Sequence, residues 1–195
     1  MTFTTPPEIT DYKKPKEFKP TETTVAPNGD IYIADGYGKD FIIQYDAQGN
    51  YIRHFGGRGK LDEQFNCAHG ITFDHRDPQN PSLLITSRSA NEFKCFTLEG
   101  QYLETISLPG CYICRPVIKG NLIYFAVIIT NKWDTFDGML AVLDKNNKVI
   151  SEEIMFKEVK SRIRSIKSSK NGNLIILTDG RGKKNSGKLI RVLPK

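Results

Sequence analysis

The stretch DIYIADGYGKDFIIQYDAQGNYIRHFGG, residues 30–57, alternates short apolar runs with glycine-containing turns. The runs are rich in Ile, Tyr and Phe, which favour β-strands. The breaks combine Gly with Asp, Asn or Lys, a composition typical of tight turns between strands. A single unit of this kind buries too little surface to be stable alone, so its recurrence along the chain would indicate a repeat protein.

The unit does recur. Val25, Ile71, Val117 and Ile166 occupy matching positions in four segments, 46, 46 and 49 residues apart. A repeat of about 45 residues containing four short strands is the signature of a β-propeller blade. The sequence therefore predicts an all-β chain of about four blades, a partial or shortened ring. An extended N-terminal segment, 1–20, precedes blades at approximately 21–64, 65–110, 111–160 and 161–195.

The composition limits the class of protein. The 195 residues are 38% apolar, enough for one sizeable core. The N-terminus, MTFTTPPEITDYKKPKEFKP, lacks the apolar stretch of a secretion signal, and no run approaches the roughly 18 apolar residues of a membrane helix. We therefore expect no membrane association and, for the chain as it stands, a cytoplasmic protein.

Charge and cysteines offer weaker signals. The net charge is +6, and residues 157–195 carry twelve Lys or Arg against two acidic residues but no Tyr or Trp. Because single-stranded RNA binding needs aromatic stacking platforms, nucleic acid is not the expected partner. The CYIC motif, Cys111 to Cys114, lacks the second pair that a zinc ribbon needs, and its strand-like context does not favour a thioredoxin-type site.

Three motifs carry a family resemblance. They are DGYG at residues 35–38, F-x-x-x-HGI at 65–71 and SRSANEFKCF at 87–96. With the blade pattern, they resemble NHL-repeat propellers and, more specifically, the lyase domain of peptidylglycine α-amidating monooxygenase and its bacterial six-bladed relatives, which are often exported. Relative to that family, the chain is expected to be shortened at its N-terminus.

The resemblance implies a chemistry. In the lyase family three histidines hold a zinc ion, a tyrosine acts as base, arginines bind the substrate carboxylate, and a calcium ion lies deeper. Tyr37 matches the tyrosine, His69 one zinc ligand and Arg88 a carboxylate-binding arginine, so Tyr37 and Arg88 are the catalytic candidates by resemblance. From the residues alone, Arg88 could instead pair with a carboxylate such as Glu92.

The chain also departs from that family. Arg164 stands where the last zinc histidine would be, and Ser165 where the calcium-binding aspartate would be. An arginine stays protonated and cannot bind zinc, so His69 is the single remaining candidate ligand. Cys95 matches a disulfide cysteine of the family, but its partner position is Leu84. We expect no cofactor, with zinc left open by the resemblance, and no calcium.

The function that we predict is binding of a small carboxylate-bearing ligand, a peptide or a protein at the axial face, without full catalysis. Tyr37, Arg88 and Arg164 are the predicted ligand-binding residues. Two alternatives stay open: a zinc-dependent peptidyl-α-hydroxyglycine lyase-like enzyme with its site completed by another chain, and an RNA-binding NHL protein. A homo-oligomer that closes the ring is a further prediction. Trp133 and Asp134 are expected in a loop between the third and fourth blades.

Overall fold

The computed structural model describes residues 2–127, 139–153, 162–171, 173–179 and 187–192. These residues form four antiparallel sheets, three with four strands and one with three. The helical elements among them are two three-residue 3-10 turns, Pro15–Glu17 and Arg88–Ala90. No helix among the described residues is long and apolar enough to cross a membrane. The prediction of an all-β chain built from four-stranded units is confirmed.

The first compact unit, residues 1–108, contains two sheets. In each sheet every strand pairs with the next along the chain, because short turns join antiparallel neighbours. The first sheet consists of β1 (Glu22–Val25), β2 (Ile31–Ala34), β3 (Phe41–Tyr45) and β4 (Tyr51–Gly56). The second consists of β5 (Ala68–Asp74), β6 (Ser82–Ser87), β7 (Glu92–Thr97) and β8 (Tyr102–Ser107).

The second unit, residues 109–195, contains the other two sheets. The third sheet consists of β9 (Ile113–Lys119), β10 (Leu122–Val127), β11 (Met139–Leu143) and β12 (Val149–Glu153). The described part of the fourth consists of β13 (Arg162–Ser168), β14 (Leu174–Asp179) and β15 (Leu189–Val192).

The segment around Trp133 corrects one prediction. Trp133 and Asp134 lie outside the described residues. The strands on either side of them, β10 and β11, pair with each other in the third sheet. The segment therefore joins two strands of one sheet, and the prediction that it connects the third and fourth blades was wrong.

The main core of the first unit lies between its two sheets. One face of the first sheet contributes Tyr32, Ala34 and Ile42, which pack in one cluster with residues of the second sheet such as Ile71 and Leu83. All five side chains are almost fully buried. Burial of this kind contributes about 25 cal/mol per Å² of apolar surface, so the pairing of the two sheets stabilises both.

The opposite face of the first sheet is covered by the N-terminal segment. Ile9, which is 1% exposed, packs with Tyr12 against Ile33, Ile43 and Tyr45. Because both faces of this sheet are covered, β2 and β3 have nearly continuous runs of buried residues instead of alternating polar ones. Residues 1–20 thus do more than extend into the fold, since they supply part of its core.

The first strand of three sheets carries a register irregularity at the same place. The pairing shifts between Ala68 and Ile71 in β5 and between Ile163 and Ser165 in β13. In β9 it shifts between Ile113 and Pro116, which pair with Val127 and Phe125 of β10. Bulges of this kind turn individual side chains out of the regular pleat. The irregular stretches include His69, Arg115 and Arg164, which are spaced 46 and 49 residues apart like the repeat itself.

The cysteines are free thiols. Cys95 on β7 lies directly across from Leu84 on β6, the position named above for its missing partner. Cys114 lies within β9, so the CYIC motif enters a strand rather than opening a helix. Burial raises the pKa of Cys95 to about 12, with the charge of Glu104 as the next contribution.

This burial predicts the order in which the thiols react. In native protein at pH 8, Cys95 and Cys114 should resist iodoacetamide, because both are almost fully buried, whereas the partly exposed Cys67 and Cys111 should be labelled first. Mass spectrometry of digests taken over time measures each site. Labelling of Cys95 at the rate of Cys111 in folded protein would contradict the packing described for β7.

Candidate functional site

The candidate site is built on the turn that joins β2 to β3. Residues 35–40 (DGYGKD) form this turn, and the carboxylate of Asp35 is fully buried at its start. That carboxylate accepts hydrogen bonds from the hydroxyl of Tyr12 and from the backbone N–H groups of Lys19 and Lys39. The N-terminal segment and the turn are thereby fixed to one another.

The environment of Asp35 has opposing effects on its ionisation. Burial raises the pKa of Asp35, while the hydrogen bonds from Tyr12, Lys39 and Lys19 lower it, and the net shift is upward. A carboxylate held in this way serves to shape the turn, because its acceptor sites are already occupied by donors of the protein.

A second buried carboxylate connects the turn to the second sheet. Asp40 accepts a hydrogen bond of 2.8 Å from the backbone N–H of Ala68 at the start of β5. It also forms an ion pair of 2.8 Å with Arg58, whose guanidinium donates to the carbonyl of Gly38 at 2.9 Å. Because both ends of the turn are tied, the residue at its tip, Tyr37, has a defined place relative to β5.

Gly36 allows the turn to approach β5 closely. A β-carbon at this position would collide with the backbone carbonyl of Ala68 and would also crowd the hydroxyl of Thr21. The hydroxyl of Thr21 donates to that same carbonyl at 2.9 Å. Only glycine therefore fits between the two backbones without moving one of them.

The other half of the site comes from the second sheet. Arg88 follows β6 in a 3-10 turn, and its backbone N–H donates to the carbonyl of Cys67 at 3.0 Å. The backbone N–H of Ser89 donates to the carbonyl of Asn66, also at 3.0 Å. Cys67 itself has a left-handed backbone, with φ of 66°. This conformation is uncommon for a non-glycine residue and is maintained here by the contacts on both sides.

Tyr37, His69 and Arg88 meet at this point. The Nη2 of Arg88 donates to the Tyr37 hydroxyl at 2.7 Å and contacts the Cys67 sulfur at 3.4 Å. The Nε2 of His69 lies 3.2 Å from the same hydroxyl, and the two rings meet edge to face with centroids 5.5 Å apart. The phenol oxygen is thus shared by a guanidinium and an imidazole.

Arg88 is the electrostatic feature of the site. The residue is 8% exposed, yet among the described residues no carboxylate forms an ion pair with it. Glu92, a predicted alternative partner, pairs with Lys94 at 3.5 Å. Burial lowers the pKa of Arg88, but Cys67 and Tyr37 raise it, and the net effect is upward. Arg88 therefore remains a buried positive charge that lacks an anionic partner in the described part of the chain.

The site opens to solvent through Tyr37, which is 50% exposed. A ligand that reaches the phenol also comes close to the buried guanidinium, whose central carbon lies 5.5 Å from the centre of the Tyr37 ring. The arrangement offers a charged donor, a phenol hydroxyl and an imidazole to one small group. It suits the binding of an anionic oxygen.

The structure brings together three of the predicted site residues, Tyr37, His69 and Arg88, while their roles stay predictions. Arg164 belongs to β13, but its side chain lies outside what the structure describes. Cys67 was not predicted, because nothing in the sequence signals its left-handed backbone or its contact with Arg88.

A zinc ion fits this donor set poorly. The groups around the Tyr37 hydroxyl are one imidazole, one thiol and a guanidinium, and a guanidinium cannot bind a metal. Within the described ranges there is no group of three or more His, Cys, Asp or Glu side chains placed to hold a metal ion. A structural or catalytic zinc site needs at least three such protein ligands.

Comparison with known proteins identifies the fold family. The model of a family described as 6-bladed beta-propeller matches residues 18–177. The chain belongs to this six-bladed β-propeller family. A curated relative, the probable peptidyl-α-hydroxyglycine α-amidating lyase of Caenorhabditis elegans, is 34% identical over 56 residues, which are 28% of this chain and 16% of that protein. The resemblance to the amidating lyases is thereby confirmed.

Solved propeller structures are similar in fold. Hydrazine synthase of Kuenenia stuttgartiensis superposes with a TM-score of 0.65 at 14% identity, covering 90% of this chain and 46% of that one. Virginiamycin B lyase of Staphylococcus aureus, in an inactive variant with quinupristin, gives 0.60 at 15% identity, covering 91% and 57%. The chain thus spans about half the length of these structures, and at such identities the likeness concerns the fold alone.

The closeness of Gly36 to β5 predicts a specific sensitivity. Gly36→Ala should lower the free energy of unfolding by about 2–3 kcal/mol, because the added methyl forces two backbones apart. The matched control is Gly120→Ala. There the added carbon meets no atom within 4 Å, and only the positive φ of 57° is unfavourable, which costs about 1 kcal/mol.

Urea unfolding of both variants against the parent measures this difference. Equal losses for Gly36→Ala and Gly120→Ala would show that the 35–40 turn does not pack on β5 as described.

Proposed function

We propose that this propeller binds a carboxylate-bearing ligand at Tyr37 and Arg88, and that it acts by binding rather than by full catalysis. The observation that carries the proposal is Arg88, a buried guanidinium with no carboxylate partner in the described part of the protein. A buried charge is costly unless it is paired. A ligand carboxylate would supply the missing partner.

The geometry suits that ligand chemistry. A guanidinium presents parallel N–H groups that match the two oxygens of a carboxylate. The Tyr37 hydroxyl accepts a hydrogen bond from Arg88 at 2.7 Å, and in the tautomer in which His69 Nε2 is also a donor the phenol proton is left to donate to a second oxygen. His69, at 3.2 Å from that hydroxyl, sets its orientation and borders the same space. Half-exposed Tyr37 gives the ligand access from solvent.

One relative supports a peptide-like carboxylate. The name of the Caenorhabditis elegans relative specifies a peptidyl-α-hydroxyglycine, a molecule that ends in a glycine-derived carboxylate. The two proteins share 34% identity over the 56 residues that match. We therefore take N-acetylglycine, the smallest stable mimic of such an end, as the probe.

A second candidate is lyase-like catalysis with zinc. It is favoured by one observation, the meeting of Tyr37, His69 and Arg88 in a chain related to an amidating lyase. The donor set described above does not by itself complete a zinc site, so this function requires ligands from elsewhere, such as another chain. For that reason we rank it below binding.

Binding of N-acetylglycine is the direct test of the first proposal. The protein should bind it saturably in calorimetry, and should bind the neutral analogue N-acetylglycinamide at least about 10-fold more weakly, since hydrogen bonds to charged groups contribute roughly 1.5–3 kcal/mol. Arg88→Gln should weaken binding by a similar factor. Arg88→Lys should restore part of it, because lysine keeps the charge but not the planar fork.

The matched control is Arg53→Gln. Arg53 lies on β4 and donates to the carbonyl of Glu99 at 2.9 Å, away from the site. The Arg53→Gln variant should bind N-acetylglycine as tightly as the parent protein does. Equal affinity for the acid and the amide, or unchanged binding in Arg88→Gln, would rule the proposal out.

Metal content distinguishes the second candidate. If the protein binds its carboxylate ligand without zinc, elemental analysis after incubation with zinc and desalting should find well under one equivalent of zinc per chain. The His69→Ala variant should then have the same zinc content. Stoichiometric zinc that disappears in His69→Ala, but persists in the control His75→Ala in the turn after β5, would instead favour the lyase candidate.

A further inference from the structure

A cavity separate from Tyr37 and Arg88 lies beneath the N-terminal segment. Its volume is about 400 Å³, which is within the usual range for small-molecule sites. One wall is the N-terminal segment, and the other is formed by the ends of β3 and β4 with the turn between them. The lining residues on which the argument depends are Phe3, Glu8, Tyr45 and Tyr51.

Three aromatic rings form a corner in this cavity. Phe3 and Tyr45 lie with ring centroids 4.6 Å apart at an angle of 44°. Tyr45 and Tyr51, which are direct partners across β3 and β4, have centroids 6.2 Å apart and rings nearly perpendicular, at 80°. Rings in this arrangement present more than one face to a molecule in the cavity, and aromatic faces attract cations.

The hydroxyl of Tyr45 forms no hydrogen bond with a protein group in the described ranges and is not sealed from solvent, although the residue as a whole is only 5% exposed. The neighbouring Tyr51 differs, because its hydroxyl is bound to Nδ1 of His54 at 2.6 Å. A hydroxyl that lines an open cavity is hydrogen-bonded by water, and a ligand with a hydrogen-bond donor can take the place of that water.

Glu8 adds a negative charge at the rim. It is exposed, and no ion pair with it is found among the residues that the structure describes. Its charge is close enough to act on the rings: burial raises the pKa of Tyr45 to about 12, and the charge of Glu8 is the next contribution. The pKa of Tyr51 is also raised, first by burial and then by Glu8.

We propose that this cavity binds a small protonated alkylamine. The ammonium would donate hydrogen bonds to the hydroxyl of Tyr45 and the carboxylate of Glu8, while its alkyl chain and charge rest against the aromatic rings. A carboxylate ligand is disfavoured here because Glu8 would repel it. The site shares no residue with Tyr37, His69 and Arg88, so it stands independently of the function proposed above.

The probe is n-butylammonium, with n-butanol as a neutral analogue of similar length. The protein should bind n-butylammonium saturably at pH 7, and the butanol at least about 10-fold more weakly, because the butanol lacks the charge that Glu8 and the rings recognise. Chemical shifts of the Tyr45 and Tyr51 rings report binding at this cavity. Absence of binding at millimolar butylammonium, or equal binding of the alcohol, overturns the proposal.

Variants localise the effect. Glu8→Gln should weaken butylammonium binding about 10-fold, and Tyr45→Phe, which keeps the ring and removes only the hydroxyl, by about 3- to 10-fold. Glu63→Gln is the matched control, since Glu63 is another exposed glutamate and does not line the cavity. The proposal is overturned if Glu8→Gln binds n-butylammonium as tightly as Glu63→Gln does. It is also overturned if Tyr45→Phe binds n-butylammonium with the affinity of the parent protein.

Discussion

The contact between the 35–40 turn and the start of β5 is the constraint on which the candidate site depends. It is made at two places: the backbone of Gly36 lies against the carbonyl of Ala68, and the buried carboxylate of Asp40 accepts the N–H of the same residue at 2.8 Å. Because Ala68 directly precedes His69 and follows Cys67, this one contact sets the distance from Tyr37 to both. Neither sheet could form the site alone.

The same contact also explains how Arg88 can remain buried with no ion pair among the described residues. Its guanidinium has two acceptors among the described residues, the Tyr37 hydroxyl and the Cys67 sulfur, and neither is a carboxylate. Hydrogen bonds of this kind offset part of the desolvation of the charge but do not neutralise it. The remaining positive potential is open to solvent through Tyr37, and it is the physical reason for proposing an anionic ligand.

Much of the fold followed from the sequence because it depends on local patterns. The residues Val25, Ile71, Val117 and Ile166 recur in the first strand of every sheet, although Val25 is 58% exposed whereas Ile71 is fully buried, and the Gly- and Asn-containing turns mark where strands end. The third sheet was harder, since the long segment between β10 and β11 resembles a link between blades. The pairing of strands that are distant in sequence is not encoded in local composition. Here the pairing of β10 with β11 shows that the segment joins two strands of one sheet.

The site was predictable only in part, for a similar reason. Tyr37, His69 and Arg88 belong to recognisable motifs. Cys67 contacts Arg88 because its backbone is left-handed, and that conformation depends on its surroundings. The packing of Ile9 and Tyr12 on the first sheet was also missed. Proline, threonine and charge dominate residues 1–20, and two apolar side chains among them do not show a period. Their role depends on the face of β2 and β3 that they cover.

The most direct test of the central claim is to observe the Arg88 guanidinium itself. In ¹H–¹⁵N spectra of the arginine Nε–Hε groups, the Arg88 signal is the one that is lost in Arg88→Lys. During titration with N-acetylglycine, this signal should shift saturably while that of Arg53 stays in place. An Arg88 signal that does not move while N-acetylglycine is bound, or that moves equally with N-acetylglycinamide, would contradict the account of Arg88 as the anion-binding group.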